Sequence, residues 1–243
     1  MTTEMAAAVS KKHFRHDEAG MTLFVVMGMM VVFTIALLAV APSVYQEVQR
    51  EKELEAIRRG EEVADAIRQY VTFYRGQRLP QSMDDLLEGL PQGTKKRQIL
   101  RASAAIDPLS EDGQWRLIKA DPDTLGKFAK RVQAYNNGLL PGNPTCGGGA
   151  IRNCLDRYSI VIVNAVNTGT EDDEDDPNAD DDFEVTTDNQ PFIGVASQSH
   201  NLSVIDYYGI GRHSNWIFTP LFRGTGRSNL QQRQINNSPR ILR

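Results

Sequence analysis

Residues 21–41, MTLFVVMGMMVVFTIALLAVA, carry no charged side chain, and nearly all of them are apolar. At about 1.5 Å per helical residue, a run of that length crosses the roughly 30 Å hydrocarbon core of a bilayer. No other stretch of the chain is apolar enough to compete with it. The run therefore either spans a membrane or is removed during export. That choice constrains everything downstream.

A charged leader precedes it, in which Lys11, Lys12 and Arg15 are offset by Glu4, Asp17 and Glu18. A secretory signal peptide would need a basic start, a shorter apolar core and a small-residue cleavage site. Ala39-Val40-Ala41 has the form of such a site, but Pro42 follows it directly. A plain single-pass anchor accounts for the apolar run and leaves the abrupt Glu18-Ala19-Gly20 boundary without a reason.

A short charged leader, Gly20, and then Met21-Thr22-Leu23-Phe24 opening an apolar helix resembles the type IV prepilin processing signal. The resemblance implies cleavage after Gly20 by a prepilin peptidase and N-methylation of the new terminus, Met21. It further implies assembly, through an inner-membrane platform and alongside other pilin-like subunits, into a type II secretion or type IV pilus-like filament. Pro42 stands where the family often places a kinking proline. The family's usual glutamate, fifth after the cut, is replaced here by Val25. A carboxylate held in lipid is costly and persists only for function. Its absence resembles certain minor pseudopilins that sit at a filament tip. The leader-inside orientation comes from the resemblance, since Arg50, Lys52, Arg58 and Arg59 rival the basic residues of the leader.

Beyond the apolar run, Ile57, Gly60, Ala64, Ile67, Val71 and Tyr74 recur at spacings of three and four. That is one face of an amphipathic helix over residues 43–74, ended by Gly76 and Pro80. Dense charge over residues 50–59 leaves a coiled-coil stalk as the alternative. The apolar stripe is short for one. Pro42 predicts a bend, and Glu55 and Arg59 predict an i,i+4 pair.

Ser82 with Asp85 three residues on reads as a capped helical turn. Lys95, Lys96 and Arg97 form a basic cluster on a solvated surface. Residues 115–118 read as a short strand, and residues 121–135 as a helix with Leu125, Phe128, Ala129 and Val132 on one side. Residues 158–166, YSIVIVNAV, read as a buried strand because of their β-branched content. Residues 192–196, 202–208 and 215–222 predict an antiparallel meander, with turns at 199–201 and 209–214 that would leave His200 and His213 in water. With Asp107-Pro108 and residues 114–118, this part resembles the globular domain of major-pseudopilin-like proteins of type II secretion. Residues 120–190 then stand as an insertion.

Cys146 and Cys154 lie in a loop rich in glycine and proline, on the side that the resemblance makes periplasmic. Two cysteines in an oxidising compartment favour a disulfide, whereas a redox or metal pair would want CxxC spacing or a nearby histidine. Residues 171–182 read EDDEDDPNADDD. Carboxylates at that density repel one another unless solvated or neutralised by a cation. Two readings stand: a solvated loop, or a calcium site using Asp175, Asp176, Asp180, Asp181 and Asp182. Some pseudopilins bind calcium near their final strands, although this run lies upstream of that region.

No GxSxG, HExxH, Walker A or dinucleotide fingerprint occurs, so no catalytic residue is expected and the chain does not read as an enzyme. The net charge of −4 argues against nucleic acid as a partner. The expected fold class is α+β: a long N-terminal helix, half membrane and half amphipathic, packed on a small antiparallel sheet, pilin-like. The expected organisation is a leader at 1–20, a membrane or filament-core half-helix at 21–42 and an amphipathic half-helix at 43–76. A periplasmic globular domain follows at 77–222, with the insertion at about 120–190, and then a flexible basic tail at 223–243. The expected protein is a pseudopilin-like structural subunit, minor or at the tip. It would sit single-pass in the bacterial inner membrane, in contact with lipid, and enter a filament on assembly. The rival expectation is a permanently membrane-anchored periplasmic binding or scaffold protein.

Overall fold

The computed structural model describes residues 18–146, 154–168, 186 and 189–224. The fold mixes helices with small antiparallel sheets, an α+β arrangement. The chain divides into two compact units, residues 1–47 and residues 48–243, and one helix, α1 (Glu18–Phe73), contributes to both.

In the first unit, the side chains of residues 21–37 are all exposed. Phe24 is 76% and Met21 73% accessible. The helical assignment of α1 runs through Pro42 without interruption. Among the described residues no helix is long and apolar enough to cross a membrane. Within α1, the side chains of residues 38–44 lie outside that description.

In the second unit α1 is buried along one face. Ala56, Gly60, Val63, Ala64, Ile67, Tyr70 and Val71 enter the core, which takes in four members of the predicted stripe, while Ile57 and Tyr74 are partly buried against it. A coiled-coil stalk is thereby overturned, because the stripe is covered by the chain's own sheet. Gly60 shows how closely. A Cβ there would lie 2.3 Å from the ring of Phe218, so the sheet reaches the helix only where no side chain intervenes. The helix stops where the Gly76 N–H turns back to Val71 O at 2.8 Å, with Gly76 at φ 76°. Glu55 pairs with both Arg58 and Arg59 on the outer face.

Helix α2 (Met83–Glu88) begins at Ser82, whose hydroxyl accepts from Asp85 N as the capping pattern predicts. Strands β1 (Leu90–Gln92) and β2 (Lys95–Arg97) form a two-stranded hairpin. The central sheet has three antiparallel strands in the order β3 (Arg116–Ile118), β4 (Gly194–Ala196), β7 (Ile217–Phe218), all of them buried. Leu117 faces Val195, and Val195 faces Phe218. Trp115 meets Phe218 edge-on at 5.7 Å, while its indole N–H donates to Ala104 O.

Strands β5 (Leu202–Tyr207) and β6 (Ile210–Arg212) form a separate hairpin. It turns through Tyr208 and Gly209, both at positive φ as a two-residue type I′ turn requires. The expected meander is thus corrected. β4 lies between β3 and β7, and β5 pairs with β6 outside that sheet, its residues alternating between exposed and half-buried positions along most of its length. The expected turn at 209–214 is corrected with it, to β6 followed by a short 3₁₀ turn at His213–Asn215.

Helix α3 (Pro122–Tyr135) starts at the Asp121 cap and buries Leu125, Phe128, Ala129 and Val132, as read. The expected strand at 158–166 is overturned: Asp156–Thr168 is a helix, α4, packed on α3. Leu155, Ser159, Ile162 and Val163 are buried, a helical spacing that coexists with the β-branched run. Docking on α3 outweighs a propensity difference of a few tenths of a kcal/mol per residue. The 120–190 segment thereby supplies α3 and α4, whose apolar faces join the same core as α1 and the sheet.

Candidate functional site

Gly20 lies in the first turn of α1, and the side chains of Met21 and Val25 are exposed. Residues 1–17 lie outside the described residues. The apolar surface that follows, residues 21–37, is covered by no described part of its own unit. Cys146 and Cys154 form a disulfide, their Cα atoms 6.0 Å apart. Asp175, Asp176, Asp180, Asp181 and Asp182 lie outside the described residues, as does the tail beyond residue 224. Among the described residues no group of three or more His, Cys, Asp or Glu is placed to hold a metal ion.

The residues that the sequence reading missed are charged ones inside the core. Glu53, in the densely charged part of α1, is completely buried. Its carboxylate accepts from Val204 N and Ile205 N of β5 at 3.0 and 2.9 Å. It accepts also from Gln49 Nε2 at 3.0 Å, and it meets His213 Nε2 at 3.0 Å. Burial alone would raise its pKa, but these hydrogen bonds together hold it below the usual carboxylate range. An ionised carboxylate only accepts, so Nε2 of His213 carries the proton. The opposite ring nitrogen, Nδ1, faces Ser199 Oγ at 3.3 Å, and Trp216 meets the imidazole edge-on. His213, expected in water, is fully buried, whereas His200 is exposed. The turn that holds His213 lies beneath Glu53 rather than at the surface.

The polar chain continues inward. Ser199 N donates to Ser197 Oγ at 3.1 Å, and Ser197 Oγ donates to Asp107 Oδ2 at 2.7 Å. Asp107 Oδ1 accepts from Leu109 N. Burial pushes the Asp107 carboxyl above its ordinary value despite these bonds. Two turns along α1 from Glu53, Glu61 accepts from the Tyr207 hydroxyl at 2.6 Å and pairs with Arg223. Two carboxylates of α1 thus hold the β5–β6 hairpin, one at the backbone of β5 and one at its last side chain, Tyr207.

Every carboxylate oxygen of Glu53 is occupied by protein donors, and its imidazole partner is packed into the core. A signal for Glu53 was present in the sequence: it stands three residues before Ala56 and seven before Gly60, on the buried stripe. A charge on that stripe implies a partner inside. No family model, curated protein or solved structure matches the chain.

Proposed function

We propose that the chain is a pilin-like assembly subunit, cleaved after Gly20 and methylated at Met21, that bundles its apolar half-helix with those of other subunits. The observation that carries this reading is the uncovered surface of residues 21–37, apolar and exposed along its whole circumference. Apolar surface of that extent is stable only against lipid or against like helices. One continuous helix that is apolar at its start and packed on a small antiparallel sheet later suits a subunit that leaves a bilayer for a filament core. The work assigned to it is assembly rather than catalysis, in a type II secretion or type IV pilus-like machine. Its globular domain would lie on the periplasmic side.

The rival, a permanent anchor, keeps its leader. Replacing Gly20 with valine should leave the precursor at full length, because a peptidase gripping extended backbone has little room for a side chain there. Intact mass of wild type and Gly20→Val, each expressed with a prepilin peptidase, reads the outcome. A wild-type protein that retains residues 1–20, its mass differing from that of Gly20→Val only by the glycine-to-valine change, would remove the assembly reading and leave the anchor.

A further inference from the structure

The basic cluster on β2 is free of the assembly reading and has a structural setting of its own. β2 is bonded to β1 on one side only and is exposed throughout. Alternation along a strand puts Lys95 and Arg97 on one face, about 7 Å apart, with Lys96 opposite. Lys96 is engaged by Glu88 at 2.6 Å. Arg97 meets only a neutral partner, donating to Gln69 Oε1 at 3.2 Å. Among the described residues no carboxylate pairs with Lys95 or Arg97.

Arg97 forms one wall of a groove of about 250 Å³ whose other lining is Arg68, Gln69, Thr72 and Phe73 of α1. Phe73 is half-exposed, an aromatic surface beside two guanidinium groups. The pair of Arg68 with Asp65 is solvent-exposed and contributes little, so Arg68 can exchange partners at small cost. Lysines on a free edge normally discourage strand addition by like chains. The strand such an edge does accept is one of opposite charge. An extended peptide presents same-side carboxylates at the same period of about 7 Å.

We propose that this groove docks an acidic peptide segment of a partner protein, laid in extended form along β2. Its carboxylates pair with Lys95, Arg97 and Arg68, and Phe73 covers its backbone. The acidic stretch at residues 171–182 supplies a ready example of the ligand chemistry.

The test uses the full chain in nonionic detergent, with the Asp and Glu of its own residues 171–182 replaced by Asn and Gln so that they do not compete, and a fluorescent peptide with the native sequence of residues 171–182. Fluorescence anisotropy should show saturable binding that weakens about tenfold between about 0.05 and 0.3 M salt, as exposed charge pairs do. Arg68→Gln and Arg97→Gln together should weaken it at least about tenfold, or 1.4 kcal/mol. Lys119→Gln, an exposed lysine elsewhere, should bind as wild type does. An amide version of the peptide, with Asn and Gln for Asp and Glu, should not bind. Absence of binding, equal binding by the amide peptide, or indifference to the arginine pair would each overturn the proposal. Displacement of the peptide by glycerol phosphate at equal concentration would assign the groove to phosphate headgroups, and would also overturn it.

Discussion

Glu53 is the residue on which the contact between α1 and the β5–β6 hairpin turns. A buried charge is expensive, and its cost is offset here by donors from three places: Gln49 one helical turn back, the backbone of β5, and His213. Removing one partner of such a cluster leaves the others buried without an acceptor. Glu53→Gln should therefore cost about 2–4 kcal/mol in urea unfolding at about pH 7. The effect should depend on pH with a definite sign. The folded pKa of Glu53 lies below its unfolded value of 4.5, so its stabilisation is fully present above 4.5. It is lost as pH falls through the lower folded value. The gap between wild type and Glu53→Gln should narrow below about pH 4, and a gap constant from neutral to acid pH would contradict this account. Asp107 runs the other way. Its folded pKa is raised, so its contribution is present at low pH and lost as pH rises through the folded value, a cost borne at neutrality. Comparison within the Glu53 pair cancels that background.

Among the elements, α4 depends most on its attachments. Its start is stapled by the Cys146–Cys154 disulfide and tied to the end of α1. Tyr158 OH donates to Gly76 O at 2.8 Å. At Gly76 a Cβ would meet Cys154 O at 2.7 Å, so this junction requires glycine for closeness as well as for its positive φ. Closing so short a loop stabilises by about 2–3 kcal/mol on the chain-entropy account. The double variant Cys146→Ser, Cys154→Ser should accordingly melt about 5–10 °C lower. Hydrogen exchange should accelerate first in α4 and not in the β3–β4–β7 sheet. In the native protein, thiol reagents should find no cysteine without reductant, and quantitative labelling would refute the bond. The helical state of residues 156–168 is itself a product of these attachments. Its sequence satisfies both periods, and the face of α3 selects the helical one.

Taken whole, the molecule keeps its core and its apolar surface in different units. Every buried apolar side chain among the described residues lies at Ala56 or later, within the unit of residues 48–243. A fragment beginning at Val48 keeps Gln49, Glu53 and Glu61, and it should unfold cooperatively without detergent. Its Tm should stay within about 4 °C of the full chain, roughly what 1 kcal/mol is worth at this size. A fragment with no cooperative transition would show that residues 1–47 contribute to the core after all. The sequence by itself determined the features whose cause is local. These are the uncharged run at 21–41, the stripe of Ile57, Gly60, Ala64 and Ile67, the cap at Ser82, the helix at 121–135, the Trp115 strand and the single cysteine pair. Each is written in neighbouring residues at the period of a helix or strand. Only the tertiary structure decided the rest. Whether residues 158–166 became strand or helix depended on which surfaces they met. The close approach of β7 to α1 depended on Gly60 leaving room for Phe218. The burial of Glu53 and His213, 160 residues apart, depended on the fold bringing donor and acceptor together. Nothing in the neighbourhood of either residue encodes the other, because a buried charge is tolerated only by partners that the finished fold supplies.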